Sequence, residues 1–278
     1  MIRITDEELD RFFHDDVPHG DLTTRSLGLA EAPAAMAFRA GAAMVASSTE
    51  EAARLLTRLG CAVTASVASG TRATTGDLLL VATGPAEAVL AGWKVAQTLM
   101  EYASGIASAT ARIVDAARAA NPGVVVACTR KTFPGTKAVA IKAVIAGGGV
   151  PHRLGLSDSV LLFPEHRALL DDGSMADSVR RLKQSCPEKK IVVEVTSAEE
   201  AEAAALAGAD VIQLEKFTPA ETAETVGRMG HYGILVAAAG GINATNAAAY
   251  AQAGAAVLVT SAPYCAQPVD VKVAITRQ

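Results

Sequence analysis

The chain has 278 residues, 50% of them hydrophobic, and its 25 Lys and Arg against 29 Asp and Glu give a net charge of −4. This length allows one large or two modest domains, each with its own core. Nucleic acid or an anionic membrane would require a broad basic surface with interleaved aromatic residues, and aromatics make up only 4% here. We therefore expect neither as a partner.

The N-terminus carries acidic residues where a signal peptide would have an apolar core, so we expect a cytoplasmic protein. The four cysteines are far apart, form no C-x-x-C pair and have no histidine at metal-ligand spacing, which predicts buried free thiols. Residues 232–269 contain no charged side chain, but glycines and asparagines interrupt them repeatedly. We interpret this segment as strand, loop, buried helix and strand rather than a membrane span.

The first hundred residues indicate a separate α+β region. An acidic helix is predicted over 6–14, a turn over 17–21, mixed strands and helices through 84, and a long helix from 85 to about 102. The small residues at 104–108 suit a domain junction or close helix packing. We place the domain boundary near 105, which gives domains 1–105 and 106–278, and we expect the last residues to return to the N-terminal domain.

From about residue 120, short β-branched runs alternate with alanine-rich helical stretches. Strands are predicted at 124–127, 159–162, 191–195, 211–214, 234–237 and 256–259. Helices are predicted near 136–146, 172–185, 197–207, 218–228 and 244–253. Such alternation favours parallel strands with crossover helices. Six strands in this length are too few for a complete eight-stranded barrel, so we expect an open or incomplete one.

Polar residues follow the predicted strands at the end where the loops of such folds form binding sites. They are Thr129-Arg130-Lys131, His166, Glu194, Glu215-Lys216, Gly240-Gly241 and Thr260-Ser261. The densest group of cations lies at 128–156, around glycine turns, and comprises Arg130, Lys131, Lys137, His152 and Arg153. Arginine offers a planar fork for carboxylate or phosphate and lysine offers a mobile charge. A small acidic ligand is therefore expected.

The same segments resemble the type II phosphoribosyltransferases of the quinolinate phosphoribosyltransferase family, most of all its ModD branch, which is associated with molybdenum transport loci. The residues that carry the resemblance lie in order along nearly the whole chain, at 16–24, 104–107, 129–135, 147–149, 152–156, 194–195, 208–210 and 240–242. The resemblance implies an N-terminal α/β sandwich, a C-terminal open α/β barrel of about seven strands, and a homodimer.

The implied reaction transfers phosphoribose from phosphoribosyl pyrophosphate to an acidic or heteroaromatic acceptor with the help of Mg²⁺. The family's acceptor-binding positions correspond to Arg130, His152, Arg153 and Phe163, together with Lys94 donated by a neighbouring subunit. Catalytic positions near the donor correspond to Lys131, Glu194 and Glu215, the last also linked to Mg²⁺ through the donor. The cradle for the 5′-phosphate corresponds to Gly240, Gly241, Thr260 and Ser261.

Several positions depart from the family pattern. Phe163 and its neighbours replace a Lys-Asp-Asn-His run, Lys94 replaces an arginine, Ala239 replaces a serine, and Lys216 replaces an asparagine. Fewer cations weaken the case for quinolinate, whose two carboxylates require the full set. Two alternatives remain: a true quinolinate enzyme of NAD biosynthesis, and a non-catalytic accessory that binds molybdate or a cofactor precursor.

An interpretation in which the same residues have only structural roles is also open. Arg130-Lys131 could be a solvated loop pair, Glu194 and Glu215 could be structural ion-pair partners, and Gly240-Gly241 could be a tight turn.

Overall fold

The computed structural model describes residues 2–170 and 174–278, and the chain forms two compact units. The first unit consists of Met1–Ala111, Thr132–Gly148 and Pro263–Gln278, and the second of Arg112–Lys131 and Gly149–Ala262. The boundary expected near residue 105 falls inside a continuous helix and stays a prediction about domains.

The helices and strands are numbered in chain order. The α-helices are α1 (Asp6–Asp16), α2 (Leu22–Ser26), α3 (Thr49–Arg58), α4 (Ala86–Ala120), α5 (Lys137–Ala146), α6 (Pro164–Ala168), α7 (Met175–Ser185), α8 (Ala198–Leu206), α9 (Pro219–Met229) and α10 (Ala247–Gln252). The strands are β1 (Pro33–Ala40), β2 (Met44–Val45), β3 (Ala62–Ser66), β4 (Arg72–Ala73), β5 (Leu78–Pro85), β6 (Val125–Cys128), β7 (Val150–Pro151), β8 (Val160–Leu162), β9 (Ile191–Val195), β10 (Val211–Glu215), β11 (Leu235–Ala239), β12 (Val257–Thr260) and β13 (Val271–Arg277).

The first unit is built on an antiparallel sheet in the order β13-β1-β5-β3. Strand β1 buries every second residue, including Met36 and Phe38, because successive side chains of a strand point to opposite faces. These side chains pack with Leu55 and Leu56 of α3 and with the buried residues of β5 and α4. The last strand of the chain, β13, pairs with β1, so the C-terminus completes the first sheet.

Helix α4 is longer than predicted, since it continues past residue 102 to Ala120. The small residues expected at a junction lie inside it and serve close packing instead. The hydroxyl oxygens of Ser104 and Ser108 accept hydrogen bonds from the backbone N–H groups of Ser47 and Val45, at 3.0 and 2.9 Å. Small side chains are required here because larger ones would hold that backbone away.

The second unit is built on a parallel sheet of seven strands in the order β7-β6-β12-β11-β10-β9-β8. Its edge strands, β7 and β8, follow each other in the chain, as expected for a barrel that stays open between them. All six predicted strands are present with ends shifted by at most two residues. The seventh, β7, has only two residues, which is too short to leave a hydrophobic pattern. The predicted fold class is confirmed.

Local sequence explains where the helices of the second unit begin and end. The Ser197 hydroxyl accepts from the Glu200 N–H before α8, and Thr218 and Glu221 form a capping box before α9. After α8, Gly208 takes the positive φ of +84° that ends a helix cheaply only at glycine. The helix expected over 172–185 is observed as α7, and residues 172 and 173 lie outside the described residues.

Two further expectations can be compared with the structure. None of the helices within the described residues is both long and apolar enough to cross a membrane. None of the four cysteines forms a disulfide within the described residues. Cys61 and Cys128 are buried as expected, Cys186 is half-buried, and Cys265 is exposed on a short turn, so the expectation of buried thiols was wrong for Cys265.

Candidate active site

The second unit contains a pocket of about 460 Å³ at the carboxyl ends of its parallel strands. It brings together almost every residue predicted for the site, namely Arg130, Lys131, His152, Arg153, Phe163, Glu194, Glu215, Gly240, Gly241, Thr260 and Ser261. Lys137, from the predicted cation group, does not line this pocket, and Lys94 lines a different cavity of about 820 Å³ in the first unit, with Tyr102 and Phe133. Its role across a subunit interface stays a prediction.

One wall of the pocket is cationic. Arg153 is only 7% exposed, and its guanidinium carbon lies 5.5 Å from the centre of the Phe163 ring. Burial, and then the nearby charge of Arg130, lower the pKa of Arg153, and burial followed by the charge of Arg153 lowers the pKa of His152. No salt bridge to Arg130, Lys131 or Arg153 is formed within the described part of the chain. This wall is therefore arranged to receive an anion from outside.

Phe163 is held in place by the helix that follows it. Its backbone N–H donates to Nδ1 of His166 over 3.0 Å, and the two rings stack with their centres 5.7 Å apart. Because Nδ1 accepts this bond, any proton on the neutral imidazole of His166 sits on Nε2. The interpretation of His166, open from the sequence, thus becomes a structural one: it positions Phe163.

Two carboxylates face the cationic wall from neighbouring strands. Burial raises the pKa of Glu194, the charges of Glu215 and Glu165 raise it further, and a hydrogen bond from Gln213 and the charge of Lys131 oppose the rise. The Gln213 amide nitrogen lies 2.6 Å from Glu194 Oε2. A partly desolvated carboxylate is suited, in its ionised form, to stabilise positive charge that develops on a substrate.

A glycine turn forms the third part of the pocket. Gly240 has a φ of +89°, and a Cβ there would lie 2.7 Å from Cγ of Lys216 and 3.1 Å from the Glu215 carboxylate. A Cβ on Gly241, with φ of +79°, would meet no atom within 4 Å. Glycine is thus required at 240 by close approach, and the backbone at 241 borders open space in which a phosphate could lie.

The turn is fixed by side chains from its own loop. Nδ2 of Asn243 and Nδ2 of Asn246 both donate to the Gly241 carbonyl over 3.1 Å. The hydroxyl of Thr260 donates to the Ile242 carbonyl over 2.6 Å and accepts from the Ala262 N–H over 3.0 Å. Thr260 therefore ties the glycine turn to the loop that carries Ser261, and its hydroxyl proton is already committed.

Three polar lining residues were absent from the predicted site: Glu165, Gln213 and Asn243. Asn243 carried a signal, since amides three residues apart after a Gly-Gly turn often bond to nearby backbone. The sequence signal for Gln213 was weaker, because it consists of a single amide inside an apolar strand.

The two parts of the chain match the two domains of one family. Residues 106–274 match the C-terminal domain of quinolinate phosphoribosyl transferase, and residues 21–104 match its N-terminal domain. This chain belongs to the quinolinate phosphoribosyl transferase family. Pyrophosphorylases of this family are pentosyltransferases, so the protein is a phosphoribosyltransferase.

Similar proteins fall into two named groups within the family. A Rhodobacter capsulatus protein named ModD, provisionally assigned as a pyrophosphorylase, is 53% identical over 249 residues, which are 89% of this chain and 96% of that protein. A carboxylating nicotinate-nucleotide pyrophosphorylase of Mycobacterium leprae is 35% identical over 198 residues, 70% of this chain and 68% of that protein. The crystal structure of NadC from Streptococcus pyogenes has a TM-score of 0.92 at 26% identity, covering 100% of both chains.

The carboxylates of the pocket fit a magnesium ion carried by a phosphorylated substrate. No group of three or more His, Cys, Asp or Glu side chains could hold a metal ion within residues 2–170 and 174–278. Mg²⁺ commonly binds through one or two carboxylates and the phosphates of a substrate. Glu215, which borders the glycine turn, is the residue placed to contact an ion arriving in this way.

Proposed function

We propose that this phosphoribosyltransferase uses phosphoribosyl pyrophosphate and Mg²⁺, and that its acceptor is an acidic or heteroaromatic molecule other than quinolinate. One observation carries the proposal: a single pocket contains four cationic or ionisable basic residues and the carboxylates of Glu165, Glu194 and Glu215, beside a glycine turn suited to phosphate. A phosphoribosyl donor requires these three environments together. Its ribose develops positive charge, its leaving group is a polyanion, and its 5′-phosphate requires N–H donors.

Each part of the pocket has a role in this reaction. A nitrogen of the acceptor attacks the anomeric carbon as the bond to the pyrophosphate oxygen breaks and the electron pair leaves with pyrophosphate. Arg130, His152 and Arg153 hold the acid group of the acceptor, and Lys131 stabilises the donor. Glu194 faces the ribose, and Gly240, Gly241, Thr260 and Ser261 surround the 5′-phosphate. Bound through the donor and Glu215, Mg²⁺ would neutralise charge on the leaving group.

The choice of acceptor rests on Phe163. This aromatic ring stands where the resemblance places a lysine, and it stacks against Arg153 instead of adding a charge. A flat ring with a single acid group would use both the Phe163 surface and the Arg153 guanidinium, whereas a second adjacent carboxylate would lack a partner. The association with molybdenum metabolism stays a prediction from the resemblance to the ModD branch.

Lys94 extends the proposal to a homodimer in which each acceptor pocket receives this lysine from the neighbouring subunit. The test is subunit exchange between Lys94→Ala and Arg130→Ala proteins, each defective alone. Recovery of acceptor binding in the mixture is expected, because a fraction of sites would then contain both wild-type residues. Verified exchange without any recovery would show that Lys94 does not act across an interface.

The first test of the proposed function concerns the donor. Phosphoribosyl pyrophosphate with Mg²⁺ should raise the melting temperature, because a ligand that binds only the folded protein stabilises it by mass action. Ribose 5-phosphate and pyrophosphate, measured separately, show which half of the donor carries the effect. No shift at millimolar donor would contradict the proposal.

The second test concerns the acceptor. Wild-type protein should convert quinolinate feebly or not at all, and Phe163→Lys should improve quinolinate binding. Efficient wild-type turnover of quinolinate would favour the alternative of an NAD-biosynthetic enzyme. Donor binding without turnover of any pyridine carboxylate would instead favour the non-catalytic accessory.

A further inference from the structure

Gln213 is an unusual residue for its position. It lies in the middle of strand β10, whose sequence is VIQLE, and it is only 4% exposed although it lines the active-site pocket. It stands in register with Glu194 on β9 and with Ala237 on β11. A buried amide inside an apolar strand is costly unless its polar atoms are bonded.

Only one end of this amide is bonded. Nε2 donates to Glu194 Oε2 over 2.6 Å, and because an ionised carboxylate only accepts, the nitrogen must be the atom that faces it. The other end, Oε1, is buried and has no hydrogen-bond partner among the described residues. Such unpaired buried acceptors are rare, and each calls for an explanation.

Among the residues that the structure describes, the side chains around Gln213 supply no hydrogen-bond donor to Oε1. The neighbouring strands present small apolar side chains here, since Ala237, Ala239 and Val259 form a cluster of their own. Ala239 and Val259 line the same pocket as Gln213. None of these side chains can donate a hydrogen bond, whereas a molecule bound in the pocket that Gln213 lines could supply one.

We propose that Gln213 is a ribose-binding residue: Oε1 accepts a hydrogen bond from a ribose hydroxyl of the donor, while Nε2 orients Glu194 toward the same sugar. This inference rests on the proposed function of the pocket. A pyridine carboxylate at neutral pH presents only acceptors, namely its carboxylate oxygens and ring nitrogen, and cannot satisfy Oε1. The ribose hydroxyls are donors, and Glu194, which Gln213 holds, is the residue assigned to the ribose.

The test pairs removal of the amide with removal of each hydroxyl. Binding of ribose 5-phosphate, 2-deoxyribose 5-phosphate and 3-deoxyribose 5-phosphate is measured by calorimetry for wild type and Gln213→Met. Methionine is close to glutamine in length and lacks both polar atoms. Loss of the hydroxyl that meets Oε1 should weaken wild-type binding about tenfold, since it leaves a buried acceptor unpaired. Loss of the same hydroxyl should weaken binding to Gln213→Met by less than about twofold.

Three controls separate a local effect from general damage. Gln184→Met makes the same substitution at an exposed position of α7 and should bind every sugar phosphate as wild type does. Pyrophosphate, which has no ribose, should bind equally to wild type and Gln213→Met. Gln213→Leu is measured in parallel, with melting temperatures for all variants, so that the result does not depend on the folding of one protein.

The outcomes are distinct. If wild type and Gln213→Met lose the same factor for both deoxy sugars, Gln213 has no contact with the ribose and this inference is overturned, while the proposed function stands. A Gln213→Met protein that is more stable than wild type and binds all three sugar phosphates as wild type does would also overturn this inference and leave the proposed function standing. If wild type binds neither ribose 5-phosphate nor phosphoribosyl pyrophosphate, the proposed function fails and the inference fails with it.

Discussion

The protein holds two groups of partly buried charges that are organised in opposite ways. In the first unit, Nζ of Lys142 lies 2.8 Å from Glu50 and also contacts the buried Glu51. The N–H and hydroxyl of Ser69 donate to Glu50 as well. Burial alone would raise the pKa of Glu50, but these bonds outweigh it and lower the pKa to about 2. Here every charge is compensated within the protein.

In the pocket of the second unit the shifts run the other way. The pKa of Glu194 is raised, while those of His152 and Arg153 are lowered, in each case with burial as the largest cause. Each shift means that the folded protein disfavours the charged form. The Lys142 group therefore stabilises the fold, whereas the pocket charges destabilise it until a ligand of opposite charge binds. The direction of the pKa shifts therefore distinguishes a group of charges that stabilises the fold from one that binds a ligand.

The largest expected effect follows from breaking the compensated group. Lys142→Met should destabilise the first unit by about 3 kcal/mol, because buried Glu51 loses its closer cationic partner and is left with Arg54 at 4.0 Å. Denaturant unfolding followed by Trp93, the only tryptophan, reports on this unit, since Trp93 packs against its core. Adding Glu51→Gln should restore much of the loss.

The matched control is Lys272→Met, which removes a lysine from an exposed pair with Asp270 at 2.9 Å. Exposed pairs contribute about 1 kcal/mol or less, so this variant should unfold almost as wild type. If the two lysine substitutions change the stability equally, the Lys142 group contributes no more to stability than an exposed ion pair does.

The reverse result is expected in the pocket. Arg153→Met should change stability by less than about 1 kcal/mol, or raise it, because the lost stacking on Phe163 is small and a buried charge is removed. The same variant should bind nicotinate, used as a flat anionic probe, about tenfold more weakly. Arg11→Met, which removes a similar contact with Phe12 in the first unit, should leave nicotinate binding unchanged. A large loss of stability in Arg153→Met would contradict the comparison.

A smaller effect is expected from acid. The pKa of Glu50 in the folded protein, about 2, lies below its ordinary value of 4.5. The ionised carboxylate therefore contributes stability that is present above pH 4.5 and disappears as the pH falls toward 2. The stability difference between wild type and Glu50→Gln should shrink over this range. In a Lys142→Met background the dependence should be weaker, and an unchanged dependence would rule out Lys142 as its source.

The smallest effect has the opposite sign. Because the pKa of Glu194 is raised, its ionised form destabilises the folded protein at pH values above that pKa and has no such effect at low pH. Glu194→Gln should therefore be more stable than wild type near neutral pH, and the gap should close as the pH falls below the ordinary range of a glutamate. A gap that widens on acidification would show that Glu194 is compensated like Glu50.

Much of the second unit could be predicted from the sequence. Its six longer strands are short, largely apolar runs whose residues are mostly buried, and its helices carry capping residues such as Ser197 and Thr218 and end at glycines such as Gly208. Since parallel strands present their carboxyl ends at one edge, the polar residues that follow them could be assigned to one pocket. The structure places most of those residues there, but His166 and Lys216 do not line the pocket, and neither does Lys94.

The parts that could not be predicted depend on contacts between distant segments. Strand β7 is defined only by its pairing with β6, and β13 only by its pairing with β1. Helix α4 continues through Ser104 because the Ser104 hydroxyl bonds to backbone near residue 47, which no local pattern records. The roles of Lys142 and Gln213 could not be predicted for the same reason. Their hydrogen-bond partners lie 91 and 19 residues away in the sequence.

The sequence by itself therefore determined the alternation of strands and helices, the class of fold and the set of charged residues at the strand ends. Those features follow from periodicity, capping and strand direction, which are local. Only the tertiary structure decided which charges are compensated, as at Lys142, and which are left open to a ligand, as at Arg153 and Gln213. Compensation depends on the burial of a group and on what lies within a few ångströms of it, and both are set by chain segments that meet only in the folded protein.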